Sequence, residues 1–275
     1  MLVRQQLADW GTRIFNGRAH YVMSLYESES PQIAAAHRAA QELKVVAAIT
    51  ERLPQEALEG QSVLPGWSIR DLLQHTAEGA VFLAECLQAY IGEPEERQPQ
   101  DDDLAVSLRA SAQFLVDVAE KTWHITPSAA APIYGRKDGM PMSMLIDILD
   151  FEFATHSVDL HWSLGAPVPL GGAAVAAVLR LFGEHLHRLG QAGTPPQAPV
   201  SFTLHATDGP FEVSVAFEGG AWSRLDCEGD INISGRSDAL ALLILGRITA
   251  ADPWLSTTGE LSAACEFSSY FPGPS

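Results

Sequence analysis

One helix of this sequence carries a carboxylate and an imidazole at the spacing a metal ion needs. In the segment MSMLIDILDFEFATHSVDLHWSLG, Glu152 and His156 are four residues apart, one helical turn. The apolar stripe runs through Leu145, Ile148 and Leu149. Glu152, His156 and Asp159 follow seven residues after Leu145, Leu149 and Glu152 respectively. All three polar groups are therefore expected on the face that packs inward. A carboxylate buried alone is costly or takes up a proton, and a divalent cation removes that penalty. An oxygen and an imidazole nitrogen converging on one point suit such a cation. Asp159, one turn beyond His156, is placed to orient the imidazole.

A third ligand should come from another helix. In LLQHTAEGAVFLAEC the inward stripe is Leu72, His75, Gly79, Phe82, Leu83 and Cys86, and His75 is its main polar member, with Gly79 leaving room beside it. Three protein ligands leave a position open for water or a substrate atom. The same spacing also suits a buried Glu152–His156 hydrogen-bonded pair with no metal. Glu78 is a competing ligand that reads more simply as a surface carboxylate. His161, His185 and His187 fall off the relevant faces, and Asp147 and Asp150 are expected in solvent.

The elements that must position these groups are legible from periodicity. Apolar residues at helical spacing mark a helix over 32–52. Ser68 is a good N-cap for a helix running to about residue 90. A third helix spans about 103–121, its acidic start suiting the helix dipole. Ser143 is the expected cap of a fourth helix running to about 164. Four helices of this length suggest a four-helix bundle. Two prolines and three glycines between Gly165 and Gly172 mark a boundary. A helix over 173–189 follows. SFTLHA, FEVSVAFE, WSRLDCE and DINISG then show the period-two alternation of half-buried antiparallel strands. The helix SDALALLILGRI and short polar and aromatic segments complete a small α+β module. Residues 1–31 read as an amphipathic stretch followed by a polar one.

Composition narrows the function. A formal charge of −17 repels phosphate backbones and anionic lipid, so nucleic-acid and membrane partners are disfavoured. No apolar run is long enough for a membrane helix or a secretory signal, which suggests a cytoplasmic protein. Cys86, Cys227 and Cys265 lack any CxxC pairing and read as apolar fillers rather than nucleophiles or a structural zinc cluster.

The segments PGWSIRDLLQH, ExxxHSVDLHWSLG and ISGRSDALALLILGR, taken together, resemble the mycothiol-dependent maleylpyruvate isomerase family of DinB-like proteins over about residues 35–275. The resemblance implies an α + (α+β) fold: an N-terminal extension (1–31), a DinB-like four-helix metal-binding bundle (32–165) and a small sterol-carrier-like α+β domain (166–275). It also implies metal ligation by His75, Glu152 and His156, and a cleft-facing role for Arg247 in LLILGR. Family members that isomerise maleylpyruvate are expected to carry an arginine-rich stretch before the ExxxH helix and a His-His pair within it. Here that stretch reads PMSMLIDILDFEFATHS.

The expected chemistry is metal activation of a low-molecular-weight thiol, mycothiol, with zinc suited to the His-Glu-His set. The departure in the PMSM segment favours a thiol S-transferase acting on a small electrophile. Cis–trans isomerisation of the maleylpyruvate type is the alternative. A non-enzymatic, metal-stabilised binding module is a reading of another class, and a metal hydrolase is a weaker one.

Overall fold

Alanine sets the geometry of the first helix. The computed structural model describes residues 30–92, 102–132 and 139–273, and the expected amphipathic stretch over 1–31 lies almost wholly outside them. Helix α1 (Pro31–Thr50) opens on a proline, whose missing N–H is no loss in a first turn. It buries Ala35, Ala36, Ala39, Ala40 and Ala47 beside Leu43 and Val46. Methyl side chains allow close helix approach. α1 accordingly packs mainly on α3 (Leu104–Lys121) and α4 (Met142–Ser163), while α2 (Ile69–Gln88) packs on the same two. One apolar core runs through all four helices, with Leu43, Leu72, Leu108, Leu115, Leu145 and Phe153 fully enclosed.

The helix ends are satisfied in different ways. Ser68 and Asp71 form a capping box on α2: the Ser68 hydroxyl accepts from the Asp71 N–H at 3.1 Å, and the Asp71 carboxylate accepts from the Ser68 N–H at 2.8 Å. Asp103 caps α3 by accepting from the Ala105 and Val106 N–H groups. α4 departs from expectation, starting at Met142 without a side-chain cap from Ser143. Its first N–H groups find backbone carbonyls instead, Met142 donating to Ala129 and Ser143 to Pro127, both at 2.8 Å. These bonds flank a two-stranded ribbon, β1 (Ala130–Ala131) with β2 (Met140–Pro141).

Two further expectations are corrected. Asp150 is not solvated: the Arg38 guanidinium grips both its oxygens at 2.8 and 3.1 Å, tying α1 to α4. Phe82 is not part of the buried stripe of α2, being 36% exposed. Positions 75, 79 and 82 fall on one line along that helix and are all incompletely buried, so this line is the margin of the buried face.

The second compact unit begins after Pro169. The single helix expected over 173–189 is broken into α5 (Gly172–Val178), a π-helical turn (Leu179–Gly183) and a short turn (Leu186–Leu189). Close approach accompanies the break. A Cβ at Gly183 would lie 2.7 Å from the Phe211 ring, and one at Gly190 would lie 2.4 Å from the Trp222 ring.

The sheet has strand order β5-β4-β3-β6-β7, formed by β3 (Val200–Ala206), β4 (Glu212–Glu218), β5 (Ala221–Arg224), β6 (Ile231–Gly235) and β7 (Leu255–Thr258). One pair is parallel, β3 with β6, where alternation alone suggested antiparallel strands throughout. β5 is also shorter than WSRLDCE, because the chain leaves the strand after Arg224 and crosses the polar face of β3. Gly229 donates to Thr203 Oγ1 and Asp230 to Ser201 Oγ, each at 2.8 Å. A Cβ at Gly229 would lie 2.8 Å from the β3 backbone, so the crossing needs glycine. On the opposite face Phe202, Trp222, Phe267 and Phe271 form an aromatic core, with Trp222 and Phe271 centroids 4.4 Å apart. α6 (Ser237–Ile244) packs on β3, β6 and α5. Among the described residues no helix is long and apolar enough to cross a membrane.

Two substitutions test this account by urea denaturation. Ser68→Ala should lower stability by about 1 kcal/mol through loss of the α2 cap. Gly229→Ala should cost about 1–3 kcal/mol by overpacking the crossover, whereas removal of an exposed side chain elsewhere in the same loop should not.

Candidate metal centre

α2 and α4 together present one group of convergent donors. His75 stands two turns into the capped α2, and Glu152, His156 and Asp159 occupy one side of α4. Ligand atoms of His75, Glu152 and His156 all lie within 4.8 Å of one another. Glu152 Oε1 is 3.3 Å from His156 Nε2 and 3.7 Å from His75 Nε2. Bonds of 2.0–2.2 Å at tetrahedral angles would set donor atoms about 3.3–3.6 Å apart, so the carboxylate–imidazole spacings fit such an ion. Two neutral imidazoles and one carboxylate are also a donor set that zinc accepts.

Burial is graded across the trio. The His156 side chain is 8% exposed, that of Glu152 24% and that of His75 37%. Asp159 is fully enclosed, and its Oδ2 lies 3.2 Å from His156 Nδ1. This contact assigns the Nδ1 proton to the Asp159 side and turns Nε2 toward Glu152. The two imidazole rings stand nearly perpendicular with centroids 5.0 Å apart.

Burial pushes the Glu152 carboxyl upward, but hydrogen bonds from His156 and His75 outweigh it and bring the group down to about 2. Burial likewise disfavours the charged form of His156. Hydrogen bonds to Asp159 and Glu152 overcome that and raise the imidazole to about 9. Without a metal, the site thus holds its excess negative charge by keeping His156 protonated at neutral pH.

The surroundings explain why the trio stays aligned. A Cβ added at Gly79 would come 4.0 Å from Glu152 Oε1, an ordinary contact, so glycine leaves the carboxylate room without being sterically required. Trp67 meets His75 edge-on, with centroids 4.9 Å apart. That contact is absent from the reading of periodicity, although the tryptophan is part of PGWSIRDLLQH. Its loop is pinned from two sides. Gln61 Nε2 donates to the carbonyls of Leu64 and Trp67, and Val63 N–H donates to Ser163 Oγ at the end of α4.

Other histidines and acids have separate partners. Glu78 accepts from Gln74 on the surface. His161 Nδ1 lies 2.7 Å from the Ser157 carbonyl. Arg247 belongs to the second unit, where its guanidinium donates to the Leu245 carbonyl at 2.7 Å.

Two outcomes follow from the geometry. Asp159→Asn should weaken metal binding about 10–100-fold by removing the carboxylate that orients His156, measured by competition with a chromophoric chelator. In chelator-treated protein, the raised His156 contributes stability that is complete below its ordinary value of 6.5 and is lost as pH rises through about 9. The lowered Glu152 contributes stability that is complete above its ordinary value of 4.5 and is lost as pH falls through about 2. The melting temperature of the metal-free protein should therefore be highest between these ordinary values and decline toward pH 9. Added zinc should offset the decline, because it needs His156 neutral.

Residues 39–161 match the family model of the mycothiol maleylpyruvate isomerase N-terminal domain. No curated protein matches the sequence. The crystal structure of the mycothiol-dependent maleylpyruvate isomerase is similar over 83% of this chain and 92% of that one, at 16% identity and a TM-score of 0.55. The structure of a histidine-to-alanine mutant of that isomerase is similar over the same shares, at 15% identity and a TM-score of 0.53. At such identity the likeness concerns the fold, a helical N-terminal region followed by a C-terminal sheet region. The matched residues 39–161, which include His75, Glu152, His156 and Asp159, are similar to the mycothiol maleylpyruvate isomerase N-terminal domain.

Proposed function

We propose that the protein is a mycothiol-dependent metalloenzyme that isomerises a small unsaturated acid of the maleylpyruvate type. The observation that carries this reading is the convergence of His75, Glu152 and His156 inside the segment that matches the family. These three residues would hold a divalent cation, with zinc favoured by the donor set. When bound, the ion supplies the electrostatic field that keeps a thiol sulfur as thiolate at neutral pH.

The chain's own groups have distinct tasks. Glu152 provides the negative charge, and the enclosed Asp159 holds the His156 tautomer. His75, the most exposed of the three, forms the solvent side of the site. The mycothiol sulfur adds to one carbon of the cis double bond, which becomes a single bond and rotates. Expulsion of the thiol restores the double bond in the trans form and regenerates mycothiol. We assign the sheet unit a sterol-carrier-like fold, and give Arg247 a role toward the substrate, as parts of the same reading.

A thiol S-transferase is the second reading. It is supported by the start of α4, where PMSM stands in place of an arginine-rich stretch. The match to the isomerase family favours isomerisation over it. Incubation of zinc-loaded protein with mycothiol and maleylpyruvate should give a product of unchanged mass with no net loss of thiol. An adduct formed one-for-one with thiol consumed would select the transferase. Neither product would leave a binding module. His75→Ala should abolish turnover and weaken metal binding at least about 10-fold. Retained turnover with a lowered melting temperature would assign His75 to scaffolding alone.

A further inference from the structure

The chain carries 34 Asp and Glu against 17 Lys and Arg, so an arginine has acids to choose from. Most take one. Arg38, Arg70, Arg109 and Arg236 pair with Asp150, Glu59, Glu51 and Asp238. Arg247 donates to a carbonyl, and Arg52 and Arg180 are also engaged. Among the described residues, only the guanidiniums of Arg188 and Arg224 have neither an ion pair nor a hydrogen bond.

Both belong to one place in the second unit. The turn Leu186–Leu189 packs against β4 and β5. The close approach of Gly190 to Trp222 holds the chain there. Arg224 lies two residues beyond Trp222 on β5, and so projects on the same face of the sheet as the ring the turn covers. His185 and His187 complete the cluster, with ring centroids 6.4 Å apart. The Nδ1 of His187 is enclosed and has no hydrogen-bond partner. Burial, then Arg188, His185 and Arg224, keep this imidazole below its usual range, and the three charged or chargeable neighbours acting on it are all basic.

We propose that Arg188, Arg224, His185 and His187 form a binding site for a small dianion that presents carboxylate or phosphate oxygens. Guanidinium forks match such oxygens two at a time, and the cluster leaves both forks unspent. A small ligand fits better than a polyanion, because the net charge of −17 repels extended negative surfaces. The site lies wholly within the second unit, so it stands apart from the metal reading.

The test is titration of the full-length protein with succinate and, separately, with inorganic phosphate, ionic strength being held constant with chloride. The readouts are the imidazole NMR resonances of His187 and the dissociation constant. At least one dianion should move these resonances saturably, and the tighter of the two identifies the oxygen donor. Arg188→Gln and Arg224→Gln should each weaken that binding about 10-fold or more. Arg236→Gln, an exposed control outside the cluster, should leave it unchanged. Both cluster arginines are exposed, so unaltered melting temperatures should accompany the loss. Shifts no larger than those from chloride, or full-strength binding by both cluster variants, would overturn the proposal. Stripping the metal should not alter the result, which separates this test from that of the thiol chemistry.

Discussion

An ionised carboxylate withdrawn from water must be met by positive charge or by donors, and Glu152 imposes that demand on the helical unit. Its side chain is only 24% exposed, and two imidazoles are aimed at one of its oxygens. One of them, His156, is backed by the fully enclosed Asp159. Two carboxylates around a single imidazole are stable only with a cation among them. A proton on His156 provides one in the metal-free state, and a divalent ion between the donors provides a better one. This electrostatic requirement links the otherwise separate facts of the helical unit.

The framework meets the requirement by rigidity. α2 is fixed at its start by the Ser68–Asp71 box, which sets the position of His75 two turns later. α4 is held at its first turn by carbonyls of the 127–129 segment, at its middle by the Arg38–Asp150 fork, and at its last turn by the Val63–Ser163 bond. The same last bond anchors the loop that brings Trp67 against His75. The site's exposed margin coincides with the 75–79–82 line of α2, where a small residue and a half-buried imidazole leave the donors reachable. A catalytic metal centre needs such an open side, whereas a purely structural one is closed.

The sheet unit solves a different problem. Its strands are short, and much of its order rests on glycines that let backbone and rings come within contact distance: Gly183 on Phe211, Gly190 on Trp222 and Gly229 on β3. The aromatic core around Phe202 fills the space these approaches create. Positive charge is scarce in this unit, so two arginines left without acids beside two histidines are an exception to its general pattern.

The helical unit was largely legible in the sequence because each long helix carries its own period. Apolar spacing marked the four helices, Ser68 and Asp103 marked two starts, and the seven-residue offsets put Glu152, His156 and Asp159 on one side of α4. Such features depend on residues within a turn or two of each other, which propensity and periodicity report directly. The start of α4, the pairing of Asp150 and the edge contact of Trp67 were not legible, because their partners lie far away in the chain. The parallel β3–β6 pair, the short β5 and β7 likewise depend on a crossover whose path only tertiary packing sets. Local sequence therefore determined which side chains could share a face. The folded chain decided which faces met, how deeply each donor was buried, and which charges were left without a partner, because those properties belong to contacts between distant residues.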